Sequence, residues 1–507
     1  MSNLSNTKPL NLDPKTLLQA LSTAPETVRL QAGAERALAL FRDAADRVPA
    51  YARHLKAHGL DPATVRDIGD WPSIPRTDKA EYLRGSSRSD LCWDGEFAGG
   101  QWTISTTSGS TGEPFYFPRT TEQDDQYALT AEMYLRTQFK IHERSTLYIV
   151  AFPMGAWIGG LFTYEAISRV AERGNYPLSI ITTGINKLEI INAVKNLGHE
   201  FDQVLIGSYA PFLKDIIDDG IRAGMNWSDY NLGFIFSAEA FSEDFRDYII
   251  AKTGLTNTYL DTLNHYGTVD LGTMAHETPL AILIRRMASS RPALHEAIFG
   301  HTTKVPTLAQ YLPELFYFEE EQGELLCTAA SGYPLVRYDL KDHGGIITLG
   351  RMENIFDSYG LNLRAEAEAA GISDTIWNLP FVYVYERSDF SVSFFAFQIY
   401  PETIKKALDK GNLAERLTGK FTMEVEYDGE GAQQLIVNIE RKPETTESAE
   451  LVSEVVEAIV SQLLAENSEY RRTHEEYAER VYPLVRFWPY EDPTYFRPGT
   501  KQKWIKK

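Results

Sequence analysis

Between residues 147 and 237, short apolar runs alternate with amphipathic stretches of about ten to fifteen residues, and this alternation restricts the fold more than anything else in the chain. Strands are expected at residues 147–152, 178–182, 203–207 and 232–237, and helices at 160–173, 185–197 and 211–223. These strands are apolar on both faces. A sheet covered on both sides buries such strands, and parallel neighbours are joined by helical crossovers. The class is therefore α/β, with mostly parallel sheets flanked by helices. Ligands of such sheets bind beyond the carboxyl ends of the strands, so polar residues there are the first candidates for chemistry.

The remainder divides by pattern. Residues 14–60 read as helices, with one long periodic stretch at 32–58, and residues 71–79 read as extended. Thr77 or Asp78 is suited to cap the helix that follows, and another helix is expected at 121–139. Residues 314–328 suggest two antiparallel strands about a turn at 320–323, and 334–347 suggest two more, a β-rich subdomain. Residues 350–378 suggest a helical insertion. From about residue 390 a helix at 402–410, strands at 421–427 and 434–441, and a helix at 448–469 have the size of a small α+β domain. Two domains are expected, 1–387 and 388–507.

Composition excludes several classes. A 43% hydrophobic, 12% aromatic chain can bury a large core. A formal charge of −20 disfavours nucleic acid and anionic membrane as partners, because both require basic surface. Two cysteines, Cys92 and Cys327, make neither a disulfide framework nor a metal cluster. The apolar run 147–162 is interrupted by Pro153, Gly155, Gly159 and Gly160 and falls short of a membrane span. Nothing at the N-terminus has the basic-then-apolar pattern of a signal peptide. A soluble, acidic, cytoplasmic protein is expected, with a homodimer left open.

One loop has an unusual chemistry. Thr106-Thr107-Ser108-Gly109-Ser110-Thr111-Gly112-Glu113-Pro114 carries five hydroxyls and two glycines between two strand-like segments. Glycines let backbone N–H groups approach an anion, and hydroxyls add donors. The same composition also makes an ordinary solvated turn. It is not a Walker loop, since no Gly-Lys-Ser/Thr follows. Four other segments fall at expected strand ends: Ser237-Ala238-Glu239, where a planar ring could lie on the backbone; Asn264 to Asp270; Pro334 to Asp342; and Glu386 to Asp389. In the second, an aromatic, a glycine, a hydroxyl and a carboxylate within five residues can stack a base, bind phosphate and hold Mg²⁺ through oxygen.

Thr107-Ser108-Gly109-Ser110-Thr111-Gly112-x-Pro114, Tyr266-Gly267-Thr268-x-Asp270, Arg337-Tyr338-x-x-x-Asp342, and Arg387-Ser388-Asp389 with Tyr400-Pro401-Glu402-Thr403-Ile404 downstream resemble, in order and spacing, the adenylate-forming enzymes. Within them the chain looks most like the phenylacetate–CoA ligase branch, including the synthetases that adenylate a deazaflavin coenzyme. The resemblance implies a large N-terminal domain and a small mobile C-terminal domain with ATP at their junction. It places Thr107 to Gly112 over the β- and γ-phosphates, and Ser237, Ala238 and Glu239 against adenine. Tyr266 and Gly267 would flank adenine and substrate, Thr268 would contact the α-phosphate, and Asp270 would hold Mg²⁺ where the family usually has Glu. Asp342 would bind the ribose hydroxyls, Arg387 would assist at ribose or phosphate, and Asp389 would be the hinge. A C-terminal lysine would complete the site: Lys503 by preference, or Lys501. The expected partners are a carboxylic acid, aromatic by branch resemblance, and CoA or another small nucleophile.

Departures bear on the second half-reaction. Ala396 stands for a glycine of the loop that faces the thiol acceptor in the family; Glu386 and Gln502 also replace glycines. Adenylation without thiolation, or nucleotide binding without catalysis, are the alternative outcomes. The loop lacks the lysine that other branches carry after its proline, having Phe115-Tyr116-Phe117 instead, which leaves backbone N–H groups, hydroxyls, Mg²⁺ and Arg119 to meet phosphate charge. Phe152, Met154, Trp157 and Tyr209 are candidate acyl-pocket walls, and His265 could touch the substrate carboxylate. The pair His276-Glu277 could serve substrate or zinc, and Arg285, Arg286 and Arg291 could meet a CoA phosphate; a structural role or a surface cluster is the plainer alternative for each.

Overall fold

The structure is a computed structural model and describes residues 13–106, 115–156, 158–238, 240–300, 306–385, 392–394, 397–427, 433–498 and 504–505. Strands β1 (Thr103–Thr106) and β2 (Tyr116–Arg119) pair antiparallel, with Thr106 opposite Tyr116, so they bracket the hydroxyl-rich loop as expected. Next come β3 (Thr146–Val150), β4 (Leu178–Ile181), β5 (Gln203–Ser208), β6 (Leu232–Phe236) and β7 (Thr262–Thr268). They are parallel in the order β4-β3-β5-β6-β7. Helices Ile158–Gly174, Lys187–Leu197, Ala210–Arg222 and Glu243–Thr253 make the crossovers. Every residue of β3, β5 and β6 is buried, which is why these strands are mostly apolar, with polar residues only at their ends, Thr146, Gln203 and Ser208. Tyr134, Phe139 and Phe162 cover one face; Ile190, Ile216 and Phe245 cover the other.

The sheet then changes direction. β7 turns into β8 (Gly272–His276), followed by β9 (Thr307–Gln310), β10 (Tyr317–Glu321), β11 (Glu324–Ala329), β12 (Leu335–Ile347) and β13 (Phe381–Val384), all paired antiparallel. Among the described residues this makes one sheet of eleven strands, so the β-rich region continues the parallel half. The two strands expected in 334–347 are a single 13-residue strand. Left-handed backbone at Arg337 (φ 47) and Lys341 (φ 60) bends it where a turn was expected, and it passes from pairing with β11 to pairing with β13.

Other boundaries moved for local reasons. The long N-terminal periodicity is broken into Glu26–Arg47 and Pro49–Ala57, because Pro49 lacks an N–H and begins a new helix. Asp78, not Thr77, caps the turn after the extended segment, accepting from Glu81 N at 2.7 Å. Thr77 instead bonds Val336 O. The insertion is helical, Leu349–Ser358 and Leu363–Ala369.

Beyond residue 391 come β14 (Val392–Phe394), β15 (Phe397–Ile399), β16 (Leu417–Tyr427), β17 (Gln433–Arg441) and β18 (Leu484–Trp488), the last parallel to β17. The helix expected at 448–469 ends at Glu466, and a second runs Ser468–Tyr477. Phe394, Ile404, Phe421, Val437, Val455 and Trp504 share a core built from this part of the chain alone. Charge joins it to the rest. Lys420 lies between Asp215 and Glu440, Lys442 meets Asp218 at 2.7 Å, and Lys187 reaches Asp219 and Glu491. Among the described residues no helix is long and apolar enough to cross a membrane.

Candidate functional site

At the carboxyl end of β6, Phe236 is buried, Ser237 is half-buried and Ala238 is exposed. Ala238 takes φ +73, a left-handed conformation that suits glycine and costs an alanine about 1–2 kcal/mol. The strand end is thus held in a turn that opens its backbone to solvent.

Beside it, β7 ends in Tyr266-Gly267-Thr268. Tyr266 and Gly267 straddle a register shift against β8, and a Cβ at Gly267 would lie 2.5 Å from Gly272 O, so only glycine lets the hairpin close. Thr268 Oγ1 accepts from Leu271 N at 3.2 Å, shaping the turn that presents Asp270.

Two carboxylates are fixed here by two phenols, each reaching across to the other element. Tyr266, on β7, donates to Asp342 Oδ2 at 2.7 Å, and Tyr338, on β12, donates to Asp270 Oδ2. Lys79 Nζ meets Asp270 Oδ1 at 3.1 Å. Such charge-assisted bonds hold both carboxylates in defined directions. Asp270 is 10% exposed and Lys79 30%, so the pair is part-exposed.

Asp270 offers a single carboxylate, and among the described residues no three His, Cys, Asp or Glu side chains could form a metal cage. That donor set suits Mg²⁺, which keeps several waters and takes phosphate oxygens from substrate, and does not suit Zn²⁺.

The structure therefore brings together Ser237, Ala238, Tyr266, Gly267, Thr268, Asp270 and Asp342 along one edge of the sheet. Thr107 to Gly112, Glu239, Arg387, Asp389 and Lys503 lie outside the described residues, as do Lys501, Glu386, Ala396, Gln502 and Trp157. Trp504, next to the expected lysine, is buried against Phe421, and Met423 N donates to its carbonyl at 2.7 Å. Lys405 lies over the Trp504 ring and donates to Ala240 O at 3.2 Å, tying the C-terminal segment to the strand end that carries Ala238.

Several expectations are corrected. Arg119 is buried, donating to Asp124 at 2.6 Å and Ser105 at 3.0 Å, so it is committed to the hairpin and does not face phosphate. Arg285 has no exposed side-chain surface and pairs with Glu277 at 2.6 Å, which removes it from any CoA surface. Glu277 is consumed by Arg246 and Arg285. His265 and His276 face each other across β7 and β8 beneath Tyr134, and burial pulls both imidazoles down to about 3, so they are neutral. Phe152 and Tyr209 do meet edge to face, 5.5 Å apart. Cys327 is buried and its thiol is pushed well up, the opposite of an activated nucleophile.

No family model matches the sequence, and no curated protein matches it either. Solved structures do. A 2-hydroxyisobutyryl-CoA ligase in its postadenylation state, with R3-HIB-AMP, superposes with a TM-score of 0.67 at 13% identity, over 96% of this chain and 91% of that one. The fold is that of the adenylate-forming ligases. A second structure of that ligase, with 2-HIB-AMP and CoA in the thioesterification state, gives 0.55 at 14% identity over 98% and 94%. An anthranilate CoA ligase with anthranoyl-AMP gives 0.47 at 11% identity, over 84% and 72%. The adenylate-forming ligase fold thus spans nearly the whole chain, including the segment beyond residue 391.

Lys79 and Tyr338 went unrecognised as site residues in the sequence. Tyr338 sits inside the Arg337-to-Asp342 motif, so a signal for it existed. Lys79 had none beyond following the capping residue Asp78.

Proposed function

We propose that the chain is an ATP-dependent ligase that activates a carboxylic acid as its acyl-adenylate, releases pyrophosphate and passes the acyl group to an acceptor. What supports this reading is the convergence of Asp342, Tyr266, Thr268 and Asp270 in an adenylate-forming ligase fold, with each carboxylate held by one phenol. Asp342 binds the ribose hydroxyls, and Ser237, Ala238 and Glu239 take the adenine. Thr268 meets the α-phosphate, and Thr107 to Gly112 cover the β- and γ-phosphates. Tyr266 and Gly267 separate adenine from the acid. Mg²⁺ held by Asp270 would supply charge neutralisation at the phosphates. Donors aimed at the α-phosphate stabilise the charge that develops as the carboxylate attacks.

The division falls between residues 387 and 388, with Arg387 at ribose or phosphate, Asp389 as hinge and Lys503 as the lysine of the small domain. The acid is aromatic, a reading that rests on the resemblance to the phenylacetate–CoA ligase branch. The acceptor is CoA. A second reading, adenylation followed by transfer to another nucleophile, is favoured by Ala396, which stands in the sequence where the resembled family has a glycine of the loop that faces the thiol acceptor.

ATP–pyrophosphate exchange over a panel of acids, with and without CoA, tests both. Exchange with an aromatic acid and formation of its thioester is expected. Exchange without a CoA product would leave the second reading. ATP binding with no exchange for any acid would reduce the protein to a nucleotide binder. Lys503→Ala should abolish exchange; loss with Lys501→Ala alone would move the lysine by two positions.

A further inference from the structure

The phosphate loop of this chain has no lysine, and the arginine nearest to it in sequence is sequestered by Asp124. The structure supplies a cation from elsewhere. Lys79 Nζ lies 3.1 Å from Asp270 Oδ1 and 5.2 Å from the centre of the Phe117 ring, on the strand that leaves the loop. Two more cations follow the same aromatic run, Arg84 over Phe115 at 5.7 Å and Arg88 over Tyr116 at 5.8 Å. The segment 79–88 thus lays positive charge along Phe115-Tyr116-Phe117, the residues standing where other branches carry their lysine.

The backbone around Lys79 is anchored to the site. Thr77 N donates to Arg337 O at 3.1 Å, Asp339 N donates to Thr77 O at 2.9 Å, and Thr77 forms a parallel bridge with Tyr338. Asp78 caps the next turn. The strand that carries Tyr338 and Asp342 therefore also sets the position of Lys79. Other nearby cations are engaged: Lys341 with Asp339 at 2.6 Å, and Arg337 with Glu319 and Glu321. Lys341 is more exposed than Lys79, but its partner Asp339 lies two residues away on its own strand, whereas Lys79 reaches across to Asp270 at the turn after β7.

We propose that Lys79 is the polyphosphate-binding cation of this site: its ammonium, poised on Asp270, contacts the β- and γ-phosphates of a nucleoside triphosphate and the pyrophosphate that leaves. This assignment rests on the adenylating function proposed above. A flexible ammonium on a four-carbon stem acts as a point charge that can be shared between Asp270 and phosphate oxygens without moving the backbone. The interaction is with the polyphosphate end only, so AMP does not feel it.

Calorimetric titration of the full-length chain with ATP, AMP and pyrophosphate, each with and without Mg²⁺, tests this. Lys79→Gln keeps a donor for Asp270 and removes the charge. It is expected to weaken ATP and pyrophosphate by about 10–100-fold, the worth of a charged hydrogen bond, and AMP by less than about 2-fold. Lys79→Arg, which keeps the charge, should retain ATP within about 5-fold of wild type. Equal weakening of ATP and AMP in both variants would make Lys79 a structural partner of Asp270 and overturn the proposal. Unchanged or tighter ATP binding in Lys79→Gln would do the same, the latter by showing that Lys79 merely competes with Mg²⁺. If Arg84→Gln reproduces the selective ATP loss and Lys79→Gln does not, the cation has been misassigned. Wild type that binds neither ATP nor AMP would overturn the adenylating function itself, whereas normal wild-type binding with an indifferent Lys79→Gln overturns Lys79 alone.

Discussion

The β7–β8 hairpin carries charge at both ends, and the two ends are built differently. Past the end of β8, Glu277 accepts from Arg246 at 2.9 Å and Arg285 at 2.6 Å, and Glu243 joins both guanidinium groups. Glu277, Arg246 and Arg285 have no exposed side-chain surface. Burial works to raise the Glu243 carboxyl, but Arg246 and Arg285 override it and hold it below its ordinary range. At the turn, Asp270 has one lysine and one phenol and remains part-exposed. The contrast separates structure from site. Where guanidinium groups meet both oxygens and water is excluded, no ligand can enter without a large rearrangement. Where one part-exposed lysine and one phenol answer a carboxylate at a turn, a charged ligand can take over from the lysine.

Breaking the closed end should be the costlier act. Glu277→Gln strands buried guanidinium charge and should lower unfolding stability by about 3–5 kcal/mol, read from urea titration. A loss under about 1 kcal/mol would show that the cluster is less closed than its geometry suggests. At the open end the balance should invert. Asp270→Asn and Asp342→Asn should change stability by less than about 1 kcal/mol yet slow ATP–pyrophosphate exchange about 100-fold or more. If instead they unfold the protein as Glu277→Gln does, the two ends are alike and the distinction fails.

The layer between the ends adds a pH test. His265 and His276 titrate near 3 in the native chain against 6.5 for the ordinary imidazole, because burial disfavours the charged ring. Above pH 6.5 neither state binds the protons. Below it the unfolded chain takes them up first, so stability falls as pH drops from 6.5 towards 3, by about 1.4 kcal/mol per unit for each histidine. His276→Gln should flatten that decline in an acid series of unfolding midpoints; an unchanged slope would mean that His276 does not contribute to it.

The smallest effect concerns backbone strain. Left-handed non-glycine residues flank the open end at Ala238, Arg337 and Lys341, and none falls in the Glu243–Thr253 helix or at Glu277 and Arg285. Ala238→Gly should raise stability by about 1 kcal/mol, seen as a higher melting temperature. No gain would mean that the turn is relaxed as built.

Much of this was legible before any coordinates. The parallel strands declared themselves because burial on both faces forces the middles of β3, β5 and β6 to be apolar. Motif spacing singled out Asp270 and Asp342, and the structure places each against a phenol of the other motif, Tyr338 and Tyr266. Arg119 was misjudged although its partner Asp124 lies five residues on; a helix start brings the two together, and linear distance from the loop misled. The single bent β12 was missed because its kinks sit at Arg337 and Lys341, residue types that do not announce a left-handed backbone.

Local chemistry thus dictated the class of fold, the places where helices break and the residues that could serve a nucleotide, since periodicity, proline and glycine act over a few neighbours. The arrangement of charge did not lie within its reach. Lys79 and Asp270 are 191 residues apart, and Tyr266 and Asp342 are 76 apart. Their contacts depend on how β12 bends and where the extended segment before Lys79 docks against it. Packing of the whole sheet sets those distances, and electrostatic pairing at 3 Å follows only once packing has set them.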